Sequence, residues 1–110
     1  MYHVNFTKEA ELDLSSTLEY ISEILKSPVS ALKLLSDAEN KLKIFENFPL
    51  TFPLVHDEYL ALKGIRCLTV NNYLVFYIVK EENKQVSIIR FLYGRRDWIT
   101  LLKINPSSSI

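Results

Sequence analysis

The sequence predicts an α+β fold: an N-terminal strand, then an antiparallel helical hairpin packed on an antiparallel β-meander in the order β-α-α-β-β-β, and a short C-terminal helix. Three observations carry that expectation. Apolar residues recur at helical spacing between Thr7 and Phe48, with one Ser-Pro interruption. Three β-branched and aromatic runs follow Gly64, separated by short polar turns. The first residues of the chain alternate apolar and polar.

Tyr2, Val4 and Phe6 alternate with His3 and Asn5, the period of a half-buried strand. Thr7 offers an N-cap, and Glu9 and Glu11 put negative charge in the first helical turn, where the macrodipole favours it. Ala10, Leu14, Leu18, Ile21 and Leu25 then form an apolar stripe, with Glu11, Glu19, Glu23 and Lys26 mostly on the wet side. Ser27-Pro28 ends this helix and starts the next, because serine caps and proline is tolerated at the first helical position. Ala31, Leu35, Ala38, Leu42 and Phe45 make the second stripe, closed by Phe48-Pro49. So short a link makes the helices antiparallel neighbours.

Residues 49–58 contain two prolines and no steady period, and read as a loop. The strand runs at 65–70 and 73–80 flank Asn71-Asn72, a pair that tolerates positive φ and suits a two-residue hairpin. Residues 81–84 form a polar turn into a third run, 85–93, which Gly94 ends. Asp97 is placed to cap a short helix of Trp98, Ile99, Leu101 and Leu102. Residues 1–104 are expected to form a single domain and 105–110, with turn and linker composition, a flexible tail.

Register follows from the turns. A two-residue loop sets Val70 opposite Tyr73 and Arg66 opposite Tyr77; a four-residue loop at 81–84 sets Lys80 opposite Gln85, Tyr77 opposite Ile88 and Val75 opposite Arg90. Arg66, Tyr73, Tyr77 and Arg90 then share one face, expected to look away from the helices. The other face collects Cys67, Leu74, Phe76, Ile78, Ile89 and Phe91 as partners for the hairpin. Two arginines with two tyrosines compose a surface that holds phosphate and stacks a base or receives a peptide, or else one whose arginines simply pair with carboxylates.

The 110 residues carry 13 Lys and Arg against 13 Asp and Glu, which excludes nucleic-acid binding by bulk positive charge. Neutrality is a cancellation: up to Tyr59 there are 5 Lys against 10 acids, and from Leu60 onward 8 Lys and Arg against 3 acids. A localised basic site remains open. Hydrophobic residues make up 48% of the chain, enough for one domain with one core. Only Gly64 and Gly94 are available, so phosphate-cradling glycine loops are excluded. His3 and His56 lack partners at metal-ligand spacing, and no metal or cofactor is expected. His56-Asp57-Glu58 reads as a solvated loop that also brings an imidazole and two carboxylates to one end of the sheet. The single Cys67 forms no intramolecular disulfide and fits a reducing compartment as a small core residue. Met1 to Phe6 lacks the features of a signal peptide and charges interrupt every apolar run, so the expectation is a soluble cytoplasmic protein with no membrane partner. Arg95-Arg96, beside Tyr93 and Asp97, is the sharpest polar feature, set at a strand-to-helix junction.

The stretch Gly64-Ile65-Arg66, then Val70-Asn71-Asn72-Tyr73-Leu74-Val75-Phe76-Tyr77, then Ile88-Ile89-Arg90-Phe91-Leu92-Tyr93-Gly94-Arg95-Arg96-Asp97, resembles the RelE/ParE superfamily of toxins from type II toxin–antitoxin systems. The resemblance implies a small growth-inhibiting toxin and a cognate antitoxin that wraps and neutralises it, with operator DNA reached only through the antitoxin. One branch of the superfamily cleaves messenger RNA on the ribosome; the other poisons DNA gyrase. For cleavage, Arg66, Arg90 and Arg96 would supply cations and Tyr93, His56 or Glu58 would handle protons. Nucleases of this superfamily typically carry an arginine where this chain has Tyr73, and a tyrosine or histidine where it has Trp98, Leu101 and Leu102. The ending from Phe91 to Arg96 and the long hairpin resemble the ParE-like branch, which implies binding of gyrase. The residues expected near the functional edge are Arg66, Tyr73, Tyr77, Arg90, Tyr93, Arg95, Arg96 and Trp98. A weakly toxic member serving mainly in an autoregulatory complex is the third reading.

Overall fold

A computed structural model describes residues 1–104, and the tail expected at 105–110 lies outside the described residues. Strand β1 (His3–Phe6) leads into α1 (Lys8–Glu19), which widens into a π-turn at Tyr20–Ile24. Helix α2 (Pro28–Leu42) ends in a 3₁₀ turn, Lys43–Glu46; a short α3 (Glu58–Leu62) precedes β2 (Arg66–Val70), β3 (Tyr73–Lys80) and β4 (Gln85–Tyr93), and α4 (Trp98–Ile104) closes the chain. The sheet order is β1-β4-β3-β2, with β1 parallel to β4 and the other pairs antiparallel. The fold class is the expected one.

Local chemistry explains the boundaries. The Thr7 hydroxyl caps α1 by accepting from the Ala10 N–H at 3.2 Å and donates to the Ile89 carbonyl at 3.1 Å, so one side chain starts the helix and docks it on β4. Lys26 ends the turn after α1 at φ 56, a left-handed conformation that disfavours a Cβ. Ser27 stands at the N-cap of α2, yet its hydroxyl bonds Ser30 Oγ at 2.6 Å rather than a helix N–H; Pro28 does the starting. Asn71 takes φ 54 in the two-residue hairpin, and Lys84 takes φ 54 after the 3₁₀ turn at Glu81–Asn83.

The hairpin covers one sheet face, burying Ala10, Ile21, Ala31, Leu34, Ala38 and Leu42 against Leu68, Val70, Val75, Tyr77, Ile88 and Phe91. Leu35 is only half-buried, and Leu25 is 55% exposed because the π-turn rotates it off the stripe. The opposite face is also covered: Phe76, Ile78, Ile89 and Leu92 pack with Leu60 of α3 and Leu102 of α4. The single core expected is therefore two half-cores with the sheet between them. Helix α3 begins at the last residue of the expected loop, 49–58, and fills a stretch before Gly64 for which no element was expected; Asp57 caps it by accepting the Leu60 N–H at 3.0 Å.

Covering both faces inverts the expected assignment. Tyr73, Val75 and Tyr77 look toward the hairpin, whereas Cys67, Leu74, Phe76 and Ile78 look toward α3 and α4. A strand buried on both sides reads as a continuous apolar run, so its period does not distinguish the faces. The hairpin registers Val70↔Tyr73 and Arg66↔Tyr77 and the pairs Lys80↔Gln85 and Tyr77↔Ile88 are as expected. Beyond them, an irregularity between Phe76 and Tyr77 leaves Ile89 unpaired and sets Arg90 opposite Phe76 and Phe91 opposite Val75, one residue from the expected register.

Candidate functional site

The bulge separates the residues expected to form one polar face. Arg90 turns to α1, donating to Asp13 from Nε at 2.6 Å and from Nη2 at 2.9 Å, with the two side chains 13% and 14% exposed. The same carboxylate accepts the Phe91 N–H at 3.0 Å, taking over the backbone partner that β4 lacks beyond the end of β1. The Asp13 pair is the main reason the Arg90 guanidinium is raised above its ordinary pKa.

Arg66 lies at the other end of the sheet, donating from Nη1 to the Phe52 carbonyl at 2.6 Å and pinning the loop before α3. Tyr77 is fully buried, its ring tilted against Phe45 with centroids 4.2 Å apart, and its hydroxyl donates to the Pro49 carbonyl at 3.0 Å. Burial pushes that hydroxyl up to about 12. Tyr77 is a core residue rather than a surface one. Trp98 packs on Phe76 at 5.0 Å, on the α4 side of the sheet. His56 and Glu58 are exposed; Asp57 between them is committed to capping and to an ion pair with Lys103 at 3.0 Å. The Leu60 N–H and then Lys103 hold the Asp57 carboxyl below its usual range.

What remains together is a groove of about 830 Å³ between α1 and the far ends of β3 and β4. Its helical wall is Leu12, Asp13, Ser16, Thr17 and Tyr20, positions that fall on one side of α1. Its floor is Tyr73, Phe91 and Tyr93, with Arg96 at the mouth. Tyr73 stacks on Phe91 at 5.4 Å and meets Tyr93 edge-on at 5.6 Å. Burial, and then Tyr93 and Tyr20, raise the Tyr73 hydroxyl above its ordinary range. Gly94 follows because a Cβ there would lie 3.1 Å from the Asn72 carbonyl oxygen, which accepts the Gly94 N–H at 2.8 Å. Asp97 then caps α4 through the Thr100 N–H at 3.3 Å and hydroxyl at 2.8 Å, leaving Arg95 and Arg96 exposed at the junction.

The structure thus brings Tyr73, Tyr93 and Arg96 to one groove, puts Arg95 next to it, and assigns Arg66, Arg90, Tyr77 and Trp98 to structural contacts. The sequence reading missed Asp13 and Tyr20. Asp13 had a signal in the sequence, a carboxylate between Leu12 and Leu14 one step from the apolar stripe. The groove offers stacking, apolar contact and one cation. The Asp13 oxygens of its wall are already occupied by Arg90 and the Phe91 N–H. No group of three His, Cys, Asp or Glu able to hold a metal occurs among the described residues, and among them no helix is long and apolar enough to cross a membrane.

Comparison with known proteins gives a family. The model of the ParE toxin of type II toxin–antitoxin systems, parDE, matches residues 4–98. Among solved structures the chain is similar to the chromosomal ParDE toxin–antitoxin system from P. aeruginosa, with TM-score 0.67 and 23% identity over 84% of this chain and 96% of that one. It is similar to the RelBE2 toxin–antitoxin complex from Mycobacterium tuberculosis, with TM-score 0.57 and 22% identity over 84% and 96%. The isolated E. coli RelE toxin aligns with TM-score 0.55 and 13% identity over 94% and 96%. At these identities the structural likeness is one of fold. No curated protein sequence matches the chain.

Proposed function

The chain belongs to the ParE toxin family of type II toxin–antitoxin systems, and from that premise we propose that it arrests growth by binding DNA gyrase, neutralised by a cognate antitoxin. One observation carries the choice of binding over cleavage. Of the three arginines that a nuclease would bring to a scissile phosphate, Arg66 and Arg90 are committed to Phe52 and Asp13, and only Arg96 is open. An active site for 2′-OH attack needs a base, an acid and clustered cations within hydrogen-bond reach. His56 and Glu58 stand by α3 while Tyr93 and Arg96 stand by the groove, so these groups do not converge. A site that only binds needs the stacking floor, the cation and an exposed junction, and these are what Tyr73, Tyr93, Arg95 and Arg96 supply.

The toxin acts in the cytoplasm in this reading, with operator DNA contacted through the antitoxin. The test pairs gyrase supercoiling with ribosome-dependent cleavage of messenger RNA, using purified full-length chain. Inhibited supercoiling with intact message is expected, and weakened inhibition by Arg96→Gln. Message cut on the ribosome with normal supercoiling would overturn the proposal in favour of the RelE-like nuclease, the fold of which this chain shares. Normal growth on expression of the soluble lone chain would favour a purely autoregulatory role.

A further inference from the structure

We propose that the open edge of β1 is a self-association site, pairing antiparallel with β1 of a second copy of this chain about a two-fold axis through Asn5. The pairing is independent of the target on which the toxin acts.

The main chain of β1 is half used. His3 donates its N–H to the Lys84 carbonyl at 2.9 Å and Thr7 to the Ile88 carbonyl at 2.9 Å, and the strand runs parallel to β4 with Val4 level with Val86 and Phe6 with Ile88. Successive residues of a strand turn their main-chain groups to opposite sides, so those of His3, Asn5 and Thr7 serve β4 and those of Val4 and Phe6 face outward. Beside them lies an open groove of about 440 Å³ walled by Val4, Phe6, Leu14 and Leu18, in which Glu11 is the charged lining residue. Unpaired N–H and C=O groups beside an apolar groove make a template for one more strand.

The other edge of the sheet is guarded. Leu54 bridges to Arg66, the Val55 N–H donates to the Ile65 carbonyl at 3.0 Å, and the Lys41 ammonium donates to the Thr69 carbonyl at 2.9 Å. No lysine, proline or bulge protects β1, which reads His3-Val4-Asn5-Phe6.

What singles out a second copy is self-complementarity. No Asp, Glu, Lys or Arg occurs from Tyr2 to Thr7, so β1 has no charge with which to select an acidic or a basic segment. A two-fold axis through Asn5 sets Val4 opposite Phe6 of the second copy, and the outward groups of that pair exchange N–H···O bonds in both directions. Their side chains lie on the hairpin side of the sheet, so each Phe6 meets a Val4 beside the Leu14 and Leu18 wall. On the other face Asn5 meets Asn5. Its Oδ1 accepts from Ser87 Oγ at 3.4 Å, and because a carboxamide both donates and accepts, two of them pair where two like charges would repel.

Sedimentation velocity of the purified full-length chain is expected to show monomer passing to dimer as concentration rises. Amide exchange is expected to show protection that grows with concentration at Val4 and Phe6 but not at His3 and Asn5, which already serve β4. Asn5→Lys and Asn5→Glu, at an exposed position, are each expected to weaken the dimer at least about tenfold with unchanged melting, by placing like charges across the axis. Mixing the two variants is expected to restore the dimer, which a local defect at Asn5 would not do. A wild-type chain that stays monomeric to millimolar concentration overturns the proposal, as does a dimer that Asn5→Lys leaves intact. Protection of Val4 and Phe6 that arises only when the antitoxin is added, with the chain by itself monomeric, assigns the edge to another occupant and equally overturns it.

Discussion

Replacing Asp13 by alanine tests the tie between α1 and the bulged strand. The carboxylate holds two charge-assisted bonds from Arg90 at 2.6 and 2.9 Å and one from the Phe91 N–H at 3.0 Å. Its removal leaves a guanidinium that is 13% exposed and a strand amide without acceptors. Breaking a buried pair from one side costs about 3–5 kcal/mol, and the residual exposure admits some water, which sets the expectation at the lower end, ~3 kcal/mol. Arg90→Met leaves Asp13 with the Phe91 N–H still donating and is expected to cost less, about 2 kcal/mol. The double variant removes both charges together, so it is expected to cost ~3 kcal/mol rather than the sum, a coupling of about 2 kcal/mol. Urea unfolding followed by circular dichroism reads these values if the m-value is unchanged, and melting of the alanine variant should fall by roughly 12 °C. A cost for Asp13→Ala under about 1 kcal/mol, or strict additivity in the cycle, would show an ordinary surface pair and refute the reasoning.

The other expectations concern single contacts. Tyr77→Phe keeps the ring on Phe45 but orphans the buried Pro49 carbonyl, and is expected to cost about 1–2 kcal/mol in urea while growth inhibition persists; loss of inhibition in a folded variant would return Tyr77 to the functional surface. Lys26→Gly relieves a side chain at φ 56 and is expected to stabilise by about 0.5–1 kcal/mol, read as a higher melting temperature; destabilisation would contradict the left-handed turn. Burial pushes the Cys67 thiol from 9.0 up to about 11 and the Tyr77 hydroxyl from 10.0 up to about 12. The folded chain holds both protons where the unfolded chain releases them, so this stability is fully present below pH 9.0 and is lost as pH rises through 11 and 12. The urea midpoint should therefore drop between pH 9 and 11, and Cys67 should resist thiol reagents at pH 8 until the chain unfolds; a flat midpoint would count against both buried groups.

Much of the fold was legible because local chemistry decides it. Thr7 and Asp97 cap through bonds reaching three residues, Pro28 starts α2 through its fixed φ, Asn71 turns through its positive φ, and the 3.6-residue stripes place the hairpin. The family likeness was legible for the same reason, since strand runs, turns and the Gly94-Arg95-Arg96 junction stand in linear order. The site was legible in part. Tyr73, Tyr93 and Arg96 meet in one groove, whereas the register expected from the turns sets Tyr73 with Arg66, Tyr77 and Arg90 on a face away from the hairpin, and the structure turns Tyr73 and Tyr77 toward it.

That error has a definite physical origin. By itself the sequence determined the elements other than α3, the hairpin register and the division into an acidic helical half and a basic sheet half, because each depends on neighbours along the chain. Only the tertiary structure decided which face meets the hairpin and which arginine stays free. Covering by α3 and α4 makes both sheet faces apolar and erases the period that would tell them apart. A single unpaired residue, Ile89, then shifts β4 so that Arg90 reaches Asp13, 77 positions away, and Arg96 alone of the three candidate cations is left for a partner.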